Sequence, residues 1–176
     1  ATTVRVEALD VSDAKAVRAL VESITRERPL QWVIHTAGVV EDGVLTSQSE
    51  RSVERVFAGK VSGAHALHEA TQDLELSRFV LFSSLSGVIG SAGQSNYAAA
   101  NAYLDGLAHQ RRSRGQPGQS LAWGLWGEKS GLTGKLSDAD HARMERAGLR
   151  ALSLEEGLSL FDACWAAEEA VCREDE

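Results

Sequence analysis

The sequence predicts an α/β fold, a doubly wound parallel sheet, on three observations. Its strand-like runs are short and almost wholly apolar, amphipathic segments of helical period lie between them, and turn residues mark the junctions. Apolar runs of this kind suit parallel strands buried on both faces, and the strand–helix alternation supplies the crossovers that parallel pairing requires.

Taken in order, Val4-Arg5-Val6-Glu7-Ala8-Leu9 alternates with period two and ends at Asp10, which predicts a strand. Ser12 or Asp13 then caps a helix with Ala16, Val17, Leu20, Val21 and Ile24 on one face. Trp32-Val33-Ile34-His35, between Pro29 and the Ala37-Gly38 turn, is a second strand. Val53, Val56, Phe57, Val61, Ala64 and Leu67 recur at helical spacing and predict one long helix from Ser49 to about Gln72. Arg78 to Ser83 is a third strand. A Gly- and Ser-rich loop from Ser84 to Ser95 leads to a helix over about Asn96–Arg112, and Ser120 to Gly124 is a fourth strand. A Gly-rich loop, a short helix near Ser137 to Ala147 and a last helix with the capping box Ser153-x-x-Glu156 complete the pattern. In such a sheet, ligands sit beyond the carboxyl ends of the strands, where Asp10, the His35-to-Gly38 turn, Ser83-Ser84 and the loop after Trp123 fall.

The 176 residues have the length of one domain, 43% hydrophobic and 24% charged. No run approaches the ~20 apolar residues of a membrane helix. A net charge of −7 argues against nucleic-acid binding. Arg111-Arg112-Ser113-Arg114 sits at a predicted helix C-terminus, where it complements the dipole, with greeting of an acidic carrier protein as the other use. His65 and His68, three apart without a Cys or carboxylate constellation, read as helix surface, and no metal site is expected. Cys164 and Cys172 read as free thiols of a reducing cytoplasm.

No strand, Gly-rich turn and helix of the kind that holds a pyrophosphate is found; Gly87, Gly90 and Gly93 follow the wrong strand and open no helix. The chain is therefore expected to begin at the third strand of such a fold and to stop before the last. It is expected to be the C-terminal part of a catalytic domain whose N-terminal half lies elsewhere, and to bind a dinucleotide weakly alone.

Chemistry concentrates on four residues. Tyr97 and Asn101 lie four apart on one helix face, Ser84 ends the third strand, and Lys60 lies in the helix before it. An acid to protonate a carbonyl oxygen, a hydroxyl to orient it and a cation to adjust the acid make a carbonyl-reduction site. A free tyrosine titrates near ~10, and a nearby ammonium is expected to lower that value toward the working pH. The hydride must come from a cofactor.

The segments 33–39, 79–84, 93–105 (Gly-Gln-Ser-Asn-Tyr-Ala-Ala-Ala-Asn-Ala-Tyr-Leu-Asp) and 122–126 closely resemble the ketoreductase domains of modular type I polyketide synthases. These belong to the short-chain dehydrogenase/reductase superfamily and have a Rossmann-like fold, here apparently without its first two strands and its last. Most such reductases carry Tyr-x-x-x-Lys with an upstream Asn. This sequence has the exchanged form, an upstream Lys60 with Tyr97-x-x-x-Asn101, as these ketoreductases do. The resemblance implies NADPH-dependent reduction of a β-ketoacyl thioester carried on the phosphopantetheine arm of acyl carrier protein, with the other synthase domains as neighbours and antibiotic biosynthesis as a setting. It implies Tyr97 as proton donor, Ser84 on the substrate carbonyl, Lys60 on the tyrosine and the nicotinamide ribose, and Asn101 holding a water in the relay. Asp10-Val11 resembles the segment bordering the adenine, Ala37-Gly38 the turn beside its ribose, and Trp126 through about Ser137 the substrate lid.

For stereocontrol, Val40-Glu41-Asp42 matches the Leu-Asp-Asp signature of B-type members in its third residue. Ile89 stands where A-type members carry tryptophan, and Ala99 where the epimerising subtype has proline. Glu41, Asp42, Ile89, Asn96 and Trp126 are the candidate stereocontrol and substrate residues, and the implied product is the (3R) alcohol of a B1-type enzyme. The competing readings are a catalytically silent structural module and a free-standing short-chain dehydrogenase.

Overall fold

The computed structural model describes residues 3–127, 144, 145 and 148–174, with side chains as far as 165. The chain divides into two compact units, Ala1–Trp123 and Gly124–Glu176.

In the first unit a three-stranded parallel sheet forms from β1 (Trp32–His35), β2 (Arg78–Ser84) and β3 (Gln119–Trp123), in that spatial order. Val33 pairs with Phe79 and His35 with Leu81; Val80 pairs with Gln119 and Ser84 with Trp123, so the three carboxyl ends form one rim. Both crossovers step in the same direction across the sheet. Right-handed connections that do so place their helices on the same face. That face carries Phe79 and Leu81 of β2, packed with Val33 of β1 against Ala64, Leu104, Leu107 and Ala108. The opposite face of β1 shows Trp32 and Ile34, each about half exposed.

The helix α1 (Ala14–Glu27) is capped by Asp13, whose carboxylate accepts from the backbone N–H groups of Lys15 and Ala16 at 2.9 and 3.1 Å. Ser12, the other cap candidate, instead donates to Asp10. Val17 and Val21 of α1 pack on Ala66, Leu67 and Ala70, where each fully buried valine contributes roughly 1.5–3 kcal/mol. Further on, α4 (Ser86–Ile89) puts a single helical turn inside the loop expected over Ser84–Ser95, and α5 (Ser95–Ser113) follows within a residue of its expected bounds.

Three expectations are corrected. Residues 3–10 form no strand, and Val4 and Val6 are 79% and 88% exposed. Their alternating pattern needs a ladder neighbour, and none of β1–β3 pairs with them. The single helix over Ser49–Gln72 is three pieces: α2 (Glu50–Phe57), a π turn (Ala58–Ser62) and α3 (Gly63–Thr71). Gly59 lies within the break and Gly63 follows it; a Cβ on Gly63 would lie 2.7 Å from Val11 Cγ1. Finally, Arg111 and His68 are not surface residues. They are 1% and 3% exposed. The Arg111 guanidinium lies 3.9 Å over the Phe79 ring, donates to Pro117 O at 2.7 Å and meets His68 Nδ1 at 2.8 Å.

In the second unit, Trp126 bridges to Leu152 and helix α6 (Leu154–Glu174) begins at the expected capping box. Ser153 N–H donates to Glu156, and Glu156 N–H donates to the Ser153 hydroxyl. Most of the short helix expected near Ser137–Ala147 and most of the expected lid lie outside the described residues. Among the described residues no helix is long and apolar enough to cross a membrane, and no His, Cys, Asp or Glu cluster could hold a metal ion.

Candidate active site

Lys60 sits in the π turn, a geometry that inserts one residue into a helix and recurs at functional sites. The turn packs onto the segment after β1. Gly59 lies against Gly38, and a Cβ on Gly38 would come within 3.0 Å of Lys60 Cε. The lysine stem thus runs along the Ala37-Gly38 turn to the sheet rim, where Nζ donates to Phe82 O at 2.9 Å. The ammonium stands 5.2 Å from the centre of the Tyr97 ring, within reach of a cation–π contact. Lys60 is 3% exposed, and burial lowers its pKa to about 8.

Tyr97 lies in the first turn of α5, half-buried. Burial pushes its phenol above the usual value of 10.0, and the Asp42 carboxylate pushes the same way; hydrogen bonding with Asn101 and Ser84 opposes them. The expected net lowering is not seen, because burial outweighs the polar neighbours. The phenol therefore keeps its proton at neutral pH, the form needed to donate one.

Asn101 is fully buried. Its amide donates to Tyr97 O at 2.8 Å, and its Oδ1 has no partner among the described residues. Ser84 accepts from the backbone N–H and the hydroxyl of Ser86, while Ser83 donates to Asn101 O. Gly87 makes this closeness possible, since a Cβ there would lie 3.0 Å from Asn101 Cβ and Ala102 N. The four residues named from the sequence therefore converge at the carboxyl rim of β1 and β2.

The remaining candidates divide. Val11 touches the Gly63 end of the π turn, beside His35, while Asp10 is exposed and its carboxylate is held by Ser12. Glu41, Asp42 and Asn96 come together: the buried Asn96 side chain donates to Glu41 O at 3.0 Å and accepts from Tyr97 N–H at 2.7 Å. Ile89 is exposed on α4. Trp126 belongs to the second unit, where its ring covers Gly157 so closely that a Cβ there would lie 2.4 Å away. The sequence carried no signal for Gln94, which donates to the Asp42 carboxylate, or Gln48, which donates to Gly43 O; both are single polar residues in loops. The Gly59/Gly63 pair was a legible sign of an interrupted helix.

The rim also fits the nicotinamide half of a dinucleotide. Lys60 keeps donors beyond the one given to Phe82, Asn101 Oδ1 is an orphaned buried acceptor, and Gly38 leaves the turn flat beside the lysine.

The KR domain family model matches residues 1–128. The spectinabilin polyketide synthase system protein NorB of Streptomyces orinoci is 50% identical over 171 residues, 97% of this chain and 8% of that protein. Polyketide synthase GfsE of Streptomyces halstedii is 52% identical over 157 residues, 89% of this chain and 4% of that protein. A solved structure of an A1-type ketoreductase matches with a TM-score of 0.81 at 41% identity, covering 89% of this chain and 32% of that one. The chain thus spans under a tenth of the length of these relatives. Its parallel sheet and helices are the Rossmann-like fold of short-chain dehydrogenases/reductases. With 128 of its 176 residues matched, the chain belongs to the KR domain family, the ketoreductases of polyketide synthases.

Proposed function

We propose that this chain carries the catalytic residues of an NADPH-dependent β-ketoacyl reductase. Its substrate would be a β-ketoacyl thioester on acyl carrier protein within a cytoplasmic polyketide synthase. One observation carries the reading: a half-buried phenol at the sheet rim, its pKa raised by burial, with an ammonium over its ring and the Ser84 hydroxyl and Asn101 carboxamide near it. NADPH supplies the hydride; Lys60 and the Ala37-Gly38 turn are the residues that would hold its nicotinamide ribose. Asp10 and Val11 would border its adenine. No glycine-rich phosphate cradle occurs among these 176 residues, so the reading assigns it to another segment of the synthase.

Ser84 Oγ holds the ketone oxygen in place, and Tyr97 gives that oxygen a proton as it becomes an alkoxide. Asn101 Oδ1, buried and unpartnered, anchors a water that returns a proton to Tyr97. The (3R) product without inversion of an α-substituent rests on Asp42 beside the phenol and on Ile89 at the position where A-type members carry tryptophan, with Glu41 and Asn96 as the further substrate contacts.

Tyr97→Phe in the complete reductase removes the proton donor without touching the fold. NADPH consumption should fall about 10²–10⁴-fold with an unchanged circular dichroism spectrum. Persistent turnover would remove Tyr97 from its role.

A further inference from the structure

His35 ends β1 on the same buried face as Val33 and is 3% exposed. A polar ring at that depth needs a partner, and the π turn offers one. In a regular helix the Gly63 N–H would serve Gly59 O, four residues back. Here it donates to Ala58 O and Lys60 O instead, so the Gly59 carbonyl loses that helical donor. The His35 imidazole hydrogen-bonds the backbone at Gly59 and Lys60; Nε2 has no partner among the described residues, which leaves this bonding to Nδ1. The ring also packs on the end of the turn, where a Cβ on Gly63 would lie 3.2 Å from His35 Cε1.

A neutral donor is what this place requires. Burial, then the Lys60 charge, lowers the His35 pKa below 6.5, so the ring is uncharged near pH 7 and one nitrogen keeps a proton to donate. A cationic side chain would repel the ammonium, and an aliphatic one would leave the Gly59 carbonyl without its donor. The consequence reaches the lysine. The turn sets its stem against Gly38, so that Nζ meets Phe82 O at 2.9 Å and stands 5.2 Å from the centre of the Tyr97 ring. A turn released from the imidazole shifts, and the ammonium shifts with it.

We propose that His35 is a positioning residue for Lys60: by donating to the carbonyl that the π turn strips of its helical partner, its imidazole holds the turn in the shape that puts the ammonium over the Tyr97 ring. The effect on turnover rests on the reductase reading above; the hold on the turn does not.

The test uses the whole synthase module that carries this chain, a β-ketoacyl thioester and NADPH. His35→Leu keeps bulk and removes the donor, whereas His35→Asn keeps an N–H near the position of Nδ1. Turnover per folded molecule should fall about tenfold in His35→Leu, the effect of a misplaced group, and stay within about threefold of wild type in His35→Asn. In a Lys60→Met background, His35→Leu should cost less than about twofold more, because a residue acting through Lys60 has nothing left to position. Hydrogen exchange across residues 58–64, read by mass spectrometry, should quicken in His35→Leu and stay near wild type in His35→Asn. Unchanged turnover or unchanged exchange in His35→Leu overturns the proposal. So does the same loss with Lys60 already removed, or an equal loss in His35→Asn, which would make His35 a matter of shape. If His35→Leu does not fold, His35→Met, adaptable and without an N–H, reads the same loss. A wild-type module that reduces no ketone would overturn the reductase reading alone. The exchange comparison then still decides whether His35 holds the turn.

Discussion

Two cations are buried in the first unit, and their surroundings differ. Arg111 has a partner on each side: the face of Phe79, the carbonyl of Pro117 and the imidazole of His68. Burial lowers its pKa to about 10, so it stays charged at neutral pH. Lys60 is almost as deeply buried but has one backbone carbonyl and the face of an aromatic ring, next to a carboxamide oxygen without a partner. Burial penalises both charges, but one with several partners also fastens elements together. A partly satisfied one opposes the fold and marks a place where a ligand completes the bonding.

The largest expected effect that separates the two is Lys60→Met. It should reduce turnover on the order of 10²-fold or more while stabilising the ligand-free protein near pH 7. The fall in pKa from 10.5 to about 8 corresponds to roughly 3 kcal/mol of opposition to folding. The sign follows from proton counts. Between about pH 8 and 10.5 the unfolded chain keeps the Lys60 proton that the native state has lost, so wild-type stability rises with pH across that window. Lys60→Met should lack this rise in urea unfolding curves. A Lys60→Met protein less stable than wild type at pH 7 would break the contrast.

Arg111→Met should act in the opposite sense. It strands Pro117 O and His68 Nδ1 in the interior and costs about 2–4 kcal/mol, read as a lower urea midpoint. Turnover per folded molecule should remain close to wild type.

The smallest effect lies at acid pH. Burial, then the Arg111 charge, lowers the His68 pKa below 6.5; Arg114 and His65 act the same way and Glu69 against them. Below about pH 6.5 the unfolded chain takes up a proton that the native imidazole refuses, so stability falls as pH drops. His68→Gln offers Arg111 an acceptor that does not titrate and should flatten part of that slope. His35, lowered chiefly by its own burial, supplies a further part.

The strands β1, β2 and β3 were legible in the sequence because apolar runs of four to seven residues bounded by turn residues have few other uses. The tetrad was legible because Tyr97 and Asn101 share a helix face and Ser84 ends a strand, relations fixed by local geometry. Residues 4–9 misled because alternation describes a side-chain pattern, while a strand exists only if another offers it hydrogen bonds. Arg111 misled because sequence shows charge at a helix end but not the direction of a long side chain. The Gln94–Asp42 bond spans 52 positions of chain between two irregular segments, and no periodicity reports such a contact.

The π turn at 58–62 has one consequence beyond Lys60. An α-helix advances about 100° per residue, so a single surplus residue rotates everything downstream by that angle relative to what precedes it. This lets one continuous rod address two partners: α2 lies along α5, and α3 lies along α1. Removing one residue there would leave a perfectly regular helix whose second half presents the wrong stripe to its neighbour and whose amine sweeps away from the cleft.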